Sequence, residues 1–120
     1  MTRIAKAQAI VCVVDSQKGD YACVAESLAG RDVELVCFGS GEDAMRFHPE
    51  VSPSLWLINT RLPDMLGAEL HAMLRSSGCK APIALVGDEY RIEEEIEARG
   101  AGVSFFLAKP VNTEMLLAAA

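Results

Sequence analysis

Five short apolar runs, each closed by a polar residue, a glycine or a proline, constrain this chain more than any other feature. The first, Ala9–Asp15 (AIVCVVD), is almost continuously apolar and β-branched and stops at an acid. A strand with one wet face alternates polar and apolar residues. A run without alternation reads as a strand buried on both faces, the mark of a parallel sheet covered by helices. Val33–Phe38, Leu55–Asn59, Pro82–Val86 and Val103–Ala108 repeat the theme.

Helical spacing fills the intervals. Tyr21, Val24, Ala25 and Leu28 form one stripe before Gly30, with Asp20 as a candidate cap. Glu42–Phe47 is a short helix closed by His48-Pro49. Leu66, Leu70, Met73 and Leu74 form a stripe ending near Gly78, and Arg91–Arg99 is helical with Ile92, Ile96 and Ala98 as its apolar contacts. A last short helix runs from about Thr113 to Ala120. Five strands alternating with five helices predict a single three-layer α/β domain, a five-stranded parallel sheet between helices with right-handed crossovers.

Charge and cysteine usage exclude other classes. The formal net charge is −6, from 11 basic and 17 acidic residues. An acidic domain without a basic cluster is poorly suited to a nucleic-acid backbone. The apolar run Ala9–Val14 is far short of the ~20 residues a membrane helix needs, and Met1–Lys6 lacks a signal-peptide core. Cys12, Cys23, Cys37 and Cys79 form no Cys-x-x-Cys pair, and His48 and His71 stand alone. That pattern excludes a zinc motif and points to buried thiols in a reducing cytoplasm.

In parallel sheets of this kind the functional site lies beyond the carboxyl ends of the strands. Those ends are Asp15-Ser16, Asn59-Thr60, Gly87-Asp88 and Lys109-Pro110, and they are expected to converge in one shallow pocket. The loops carry no Gly-rich phosphate cradle, which weighs against a nucleotide-binding flavodoxin-like domain.

Val13-Val14-Asp15, Leu57 through Gly67 (with Pro63 and Gly67 at their spacing), Pro82–Gly87, Gly100-Ala101-Gly102 and the closing Phe105 to Pro110 together resemble the receiver domain of two-component response regulators. The resemblance covers nearly the whole chain. It implies the flavodoxin-like (βα)5 fold with strand order 2-1-3-4-5 and a signalling role within a phosphorelay, without enzymatic turnover. It also implies partners: a sensor kinase, an effector domain or a second receiver, docked on the face of the fourth helix, fifth strand and fifth helix, with a homodimer as one form. Members usually have a longer last helix, so residues 1–120 are expected to be a receiver domain and the N-terminal module of a longer protein.

Receivers accept a phosphoryl group on an aspartate after strand three, hold Mg²⁺ with two further acids, contact the phosphoryl group with a Thr or Ser after strand four, and neutralise it with the strand-five lysine. Here the acceptor position is Asn59, the acid pair is Asp15-Ser16, the hydroxyl position is Gly87, and Lys109 remains. An amide is neutral, with its nitrogen lone pair delocalised, so Asn59 cannot form an acyl phosphate. Two of the three acids a hard cation would want are missing. Asp15 and Lys109 cancel in charge, so no metal is expected, and Lys109 is expected to pair with Asp15 or donate to the Asn59 amide oxygen. The expected function is therefore a degenerate receiver acting through protein contacts. The alternative is a phosphorylation-dependent switch with an engineered or unusual acceptor.

The remaining expectations are local. Asp64 and Asp88 are expected as solvated loop acids, with Asp88 able to lean into the pocket. Phe106 matches the family's switch aromatic but is expected to be plain packing, since Gly87 offers it no partner. By resemblance, the Lys109-Pro110 bond is expected to be cis. Glu89, Glu93, Glu94, Glu95 and Glu97 are expected to form a solvated acidic face, or a docking face for a basic partner. Trp56 and Met73 are expected in the core.

Overall fold

The structure, a computed structural model, describes residues 9–50 and 53–119. The reading of Met1–Lys6 and the last residue of the final helix lie outside the described residues. The strands are β1 (Ala9–Val14), β2 (Val33–Phe38), β3 (Leu55–Asn59), β4 (Ile83–Gly87) and β5 (Phe105–Ala108). The helices are α1 (Ala22–Leu28), α2 (Gly41–Phe47), α3 (Gly67–Ser76), α4 (Ile92–Gly100) and α5 (Thr113–Ala119). A 3-10 turn, Lys18–Tyr21, leads into α1. All pairings between the strands are parallel, in the order β2-β1-β3-β4-β5.

The unbroken apolar runs follow from this placement. Successive side chains of a strand point to opposite faces, and both faces are covered. Val11, Val13, Leu55, Leu57, Ala84 and Val86 pack on one side with Tyr21 from the 3-10 turn and Val24, Leu28 and Leu116 from α1 and α5. Cys12, Val14, Trp56, Ile58, Ile83 and Leu85 pack on the other with Ala44, Leu70, Leu74 and Ala98 from α2, α3 and α4. Every residue of β3 and β4 is buried, whereas the edge strands β2 and β5 are only partly covered.

Four expectations about the core need correction. Ala25 is exposed although it shares the stripe of Val24 and Leu28. Leu66 precedes α3, and both it and Met73 are exposed; the inner face of α3 is instead Leu70, His71 and Leu74. Ile92 and Ile96 face outward, leaving Ala98 as the buried side chain of α4. Cys23 and Cys37 are exposed thiols, while Cys12 is buried. For the helices the reason is shared: spacing identifies a stripe, but its edge residues can fall either side of the contact line; Cys37 is exposed because β2 is an edge strand.

His71 is buried on α3, and its Nε2 has no partner among the described residues. Burial, aided by the neighbouring Arg75, holds its imidazole below the ordinary value of 6.5. The unfolded chain therefore takes up a proton first as pH falls, so His71 subtracts stability on acidification below about 6.5. The melting temperature is expected to fall between pH 7.5 and 5.5, and less steeply in His71→Leu; equal slopes would remove this assignment.

Candidate functional site

The sheet order brings the carboxyl ends of β1, β3, β4 and β5 to one edge. Asp15 follows β1, and its backbone N–H donates to Phe38 O at 2.9 Å, so the β1 end is fixed by the edge strand beside it. Asn59 ends β3; both it and Asp15 are only 2 % exposed. Lys109 follows β5, its N–H donating to Gly87 O at 2.9 Å. The Lys109-Pro110 peptide is cis.

Six side chains meet there. Asn59 Nδ2 donates to Asp15 Oδ2 at 3.0 Å and to Asp88 Oδ1 at 2.9 Å. Its Oδ1 accepts from Arg61 N at 2.8 Å. The amide is therefore fully used. Lys109 Nζ lies 3.0 Å from Asp15 Oδ2, 2.7 Å from Asp20 Oδ2 and 2.8 Å from Asp88 Oδ1. An ammonium has three protons, and each finds a carboxylate. Asp15 Oδ2 also accepts from the Tyr21 hydroxyl at 2.9 Å, and Asp15 Oδ1 accepts from Gln17 N at 2.8 Å.

The electrostatics follow. Burial pushes the Asp15 carboxyl up, but the hydrogen bonds from Gln17 N, Asn59, Lys109 and Tyr21 outweigh it and hold the group below the ordinary carboxylate value. Asp88 is also held low, first by Lys109 and then by Asn59. Burial pulls the Lys109 ammonium down, yet its three carboxylate partners raise it overall. Burial and the Asp15 charge push the Tyr21 phenol upward. At neutral pH the cluster is three carboxylates around one ammonium, with Asn59 and Tyr21 as neutral donors.

That count corrects the sequence reading, in which Asp15 and Lys109 alone gave zero net charge. Asp20 does not cap α1: it lies in the 3-10 turn and turns to Lys109. Asp88 is not a free loop acid, although its side chain remains 66 % exposed. Lys109 pairs with Asp15 but not with the Asn59 oxygen, which Arg61 N occupies. Asp64 is exposed yet committed: its two oxygens accept from Gly41 N and Glu42 N, each at 2.9 Å, tying the β3–α3 loop to the start of α2. The Gly41 hydrogen bond lowers its carboxyl.

Ser16 and Pro110 are exposed, and Thr60 is half-buried. Thr60 Oγ1 lies 3.3 Å from Glu94 Oε2, which also meets Arg61 Nε at 3.4 Å. Glu95 pairs with Arg99 and accepts from the Tyr90 hydroxyl. The acidic helix is thus not one uniformly free face. Phe106 is partly buried against the α2–α4 side of the core, and its ring lies edge-on to Tyr90 at 6.2 Å. Gly67 is required by close approach: a Cβ there would sit 2.2 Å from Asn59 O.

Sequence reasoning missed Asp20, Tyr21 and Glu94 as members of this neighbourhood. The signal for Asp20 was its position in the segment that follows β1, at the carboxyl end of the sheet. Tyr21 carried a hydroxyl on an otherwise apolar stripe. Glu94 carried none that separated it from Glu93 and Glu95.

The donor set does not fit a divalent cation. A hard cation needs free carboxylate oxygens. Asp15 Oδ2 already receives three donors, Ser16 offers no carboxylate, and Asn59 turns an N–H₂ toward the acids. Among the described residues no group of three or more His, Cys, Asp or Glu is placed to hold a metal ion. No described helix is long and apolar enough to cross a membrane.

Comparison with known proteins gives a consistent picture. The sequence family described as the response regulator receiver domain matches residues 11–120. The regulatory protein LuxO of Vibrio cholerae is 29 % identical over 85 residues, covering 71 % of this chain and 19 % of LuxO. The receiver domain of Francisella response regulator 1452 superposes with a TM-score of 0.79 at 19 % identity, covering 92 % of each chain. The BeF3-activated receiver domain of DrrB, a Thermotoga maritima protein, gives a TM-score of 0.76 at 26 % identity, again over 92 % of each. The chain spans only 19 % to 34 % of the length of curated relatives it matches.

Proposed function

The chain belongs to the response regulator receiver domain family, and on that premise we propose that it is a degenerate receiver that signals through protein contacts without phosphorylation on aspartate. The observation that carries this reading is the state of Asn59. It occupies the end of β3, where the family places its acceptor aspartate, and its Nδ2 protons are committed to Asp15 and Asp88. A carboxylate can attack phosphorus; a hydrogen-bonded amide cannot. Nor does Asp15 offer a substitute acceptor, since it is buried and both its oxygens are occupied.

On this reading the module, within a longer cytoplasmic regulator, presents a docking face to a sensor kinase, an effector domain or a second receiver. The α4–β5–α5 side supports that assignment, with Ile92, Ile96, Phe105 and Leu117 exposed. The domain has no turnover of its own, and its pocket works without Mg²⁺, since Asn59 turns N–H donors toward the acids where the family places a third carboxylate.

Linkage supplies the test. A ligand that binds only the folded state raises its stability. The melting temperature is expected to be the same with and without millimolar Mg²⁺ at fixed ionic strength. A clear rise with Mg²⁺ that Ca²⁺-free, Na⁺-matched buffer does not reproduce would contradict the reading.

A further inference from the structure

We infer that a cavity at the amino end of the sheet, opposite the Asn59 site, binds a small organic carboxylate. Its volume is about 240 Å³. His48, which follows α2, walls one part of it, and Pro53 and Trp56 flank the start of β3. Cys79, Lys80 and Ala81 come from the loop between α3 and β4.

The backbone around the cavity is tied down. Trp56 N donates to Pro82 O at 3.0 Å, joining the starts of β3 and β4. Gly78 turns the chain out of α3 with a φ of +91°, the left-handed conformation that glycine adopts most readily after a helix. Cys79 N then donates to Leu74 O at 3.0 Å. Arg75 Nη1 spans the loop, donating to Cys79 O at 3.0 Å and to Ala81 O at 2.7 Å.

One donor in this wall is unused. An indole N–H can only donate, and a buried tryptophan usually finds an acceptor for it. Trp56 is 0 % exposed, and its Nε1 has no hydrogen-bond partner among the described residues. Leaving a buried donor unpaired is costly, so an acceptor brought to it relieves a cost that a solvated donor would not carry. Solvent does not reach Nε1, so the acceptor arrives with a small shift of the lining side chains. Charge selects an anion. In a chain of net charge −6, no acidic residue lines the cavity among the described residues. Lys80 is exposed there, and none of the ion pairs among the described residues uses it. A carboxylate oxygen on Nε1, with Lys80 as counter-ion, makes a charge-assisted hydrogen bond. Pro53, Ala81 and the indole ring give the cavity an apolar side, which favours an anion with a hydrocarbon body over inorganic phosphate. The volume equals the liquid share of about eight waters and falls below the usual range for drug-sized ligands, so that body is limited to a few carbons. The site shares no residue with the Asn59 cluster, and either assignment can fail alone.

Trp56 is the chain's one tryptophan, so a single indole N–H resonance reports on the site. The test is a titration with sodium butyrate at pH 7, followed by proton–nitrogen NMR, against sodium chloride and sodium phosphate at matched ionic strength. The indole proton is expected to move downfield and saturate in the millimolar range of butyrate, while the Asn59 side-chain amide stays in place. Lys80→Gln, a change at an exposed position, is expected to weaken binding about threefold with the same end-point shift. An indole signal that butyrate does not move would overturn the site. So would an equal shift with phosphate or chloride, which reports general anion attraction, or an unchanged butyrate affinity in Lys80→Gln.

Discussion

Lys109→Met is expected to lower stability by about 3 kcal/mol at pH 7, a fall of about 10 °C in melting temperature for a domain this size. The Lys109 side chain is 10 % exposed and that of Asp15 is 1 % exposed, so this pair is broken in a poorly hydrated place. Removing one partner of a buried pair costs about 3–5 kcal/mol because the other charge stays behind. The Asp20 and Asp88 contacts add little, since those side chains are 47 % and 66 % exposed and exposed pairs contribute about 0–1 kcal/mol.

The pH dependence separates this cause from lost packing. In the parent the Asp15 carboxyl is held below 3.8. Its contribution is therefore present above that value and lost as pH falls through the lower, folded one. Without Lys109, burial has less opposition and the Asp15 value rises, so the folded variant takes up a proton that the unfolded chain does not yet bind. The stability gap between parent and variant should narrow from pH 7 to about 4, as read by denaturant unfolding. A gap of constant size would assign the loss to methylene packing and not to Asp15.

Asn59→Asp is expected to destabilise the domain by about 2–4 kcal/mol at pH 7, although the change is nearly isosteric. The amide now gives one proton to Asp15 at 3.0 Å and another to Asp88 at 2.9 Å. A carboxylate places an oxygen where each donor stood, making two acceptor–acceptor contacts and a fourth negative charge around Lys109. Like charges this close raise a carboxyl value, so the variant should recover part of its stability as pH is lowered toward 5. A variant as stable as the parent at pH 7 would mean that the pocket tolerates the family's acceptor.

The sheet was legible because burial on both faces writes itself into composition: β1, β3 and β4 leave almost no polar residue between their ends. The strand order expected from those runs is enough to place Asp15, Asn59, Asp88 and Lys109 at one edge. What stayed hidden was the direction of acids in loops. Asp20 and Asp88 turn inward because one ammonium from β5 draws them, and that attraction joins residues 89 and 21 positions apart along the chain. Glu94 and Glu95 look alike in sequence, yet one latches onto Thr60 and Arg61 while the other pairs along its own helix with Arg99. The same limit applies to Ile92 and Ile96, whose spacing marks an apolar stripe but not the side that is covered.

The most direct test of the account is intact-mass spectrometry after incubation with acetyl phosphate and Mg²⁺, on this chain and on Asn59→Asp. The account predicts no phosphoryl adduct on either protein, because Ser16, Gly87 and the committed Asp15 leave the reaction unsupported even when the acceptor carboxylate returns. An adduct on Asn59→Asp would show that the surrounding machinery survives and that Asn59 alone silences it. An adduct on the chain itself would contradict the central claim.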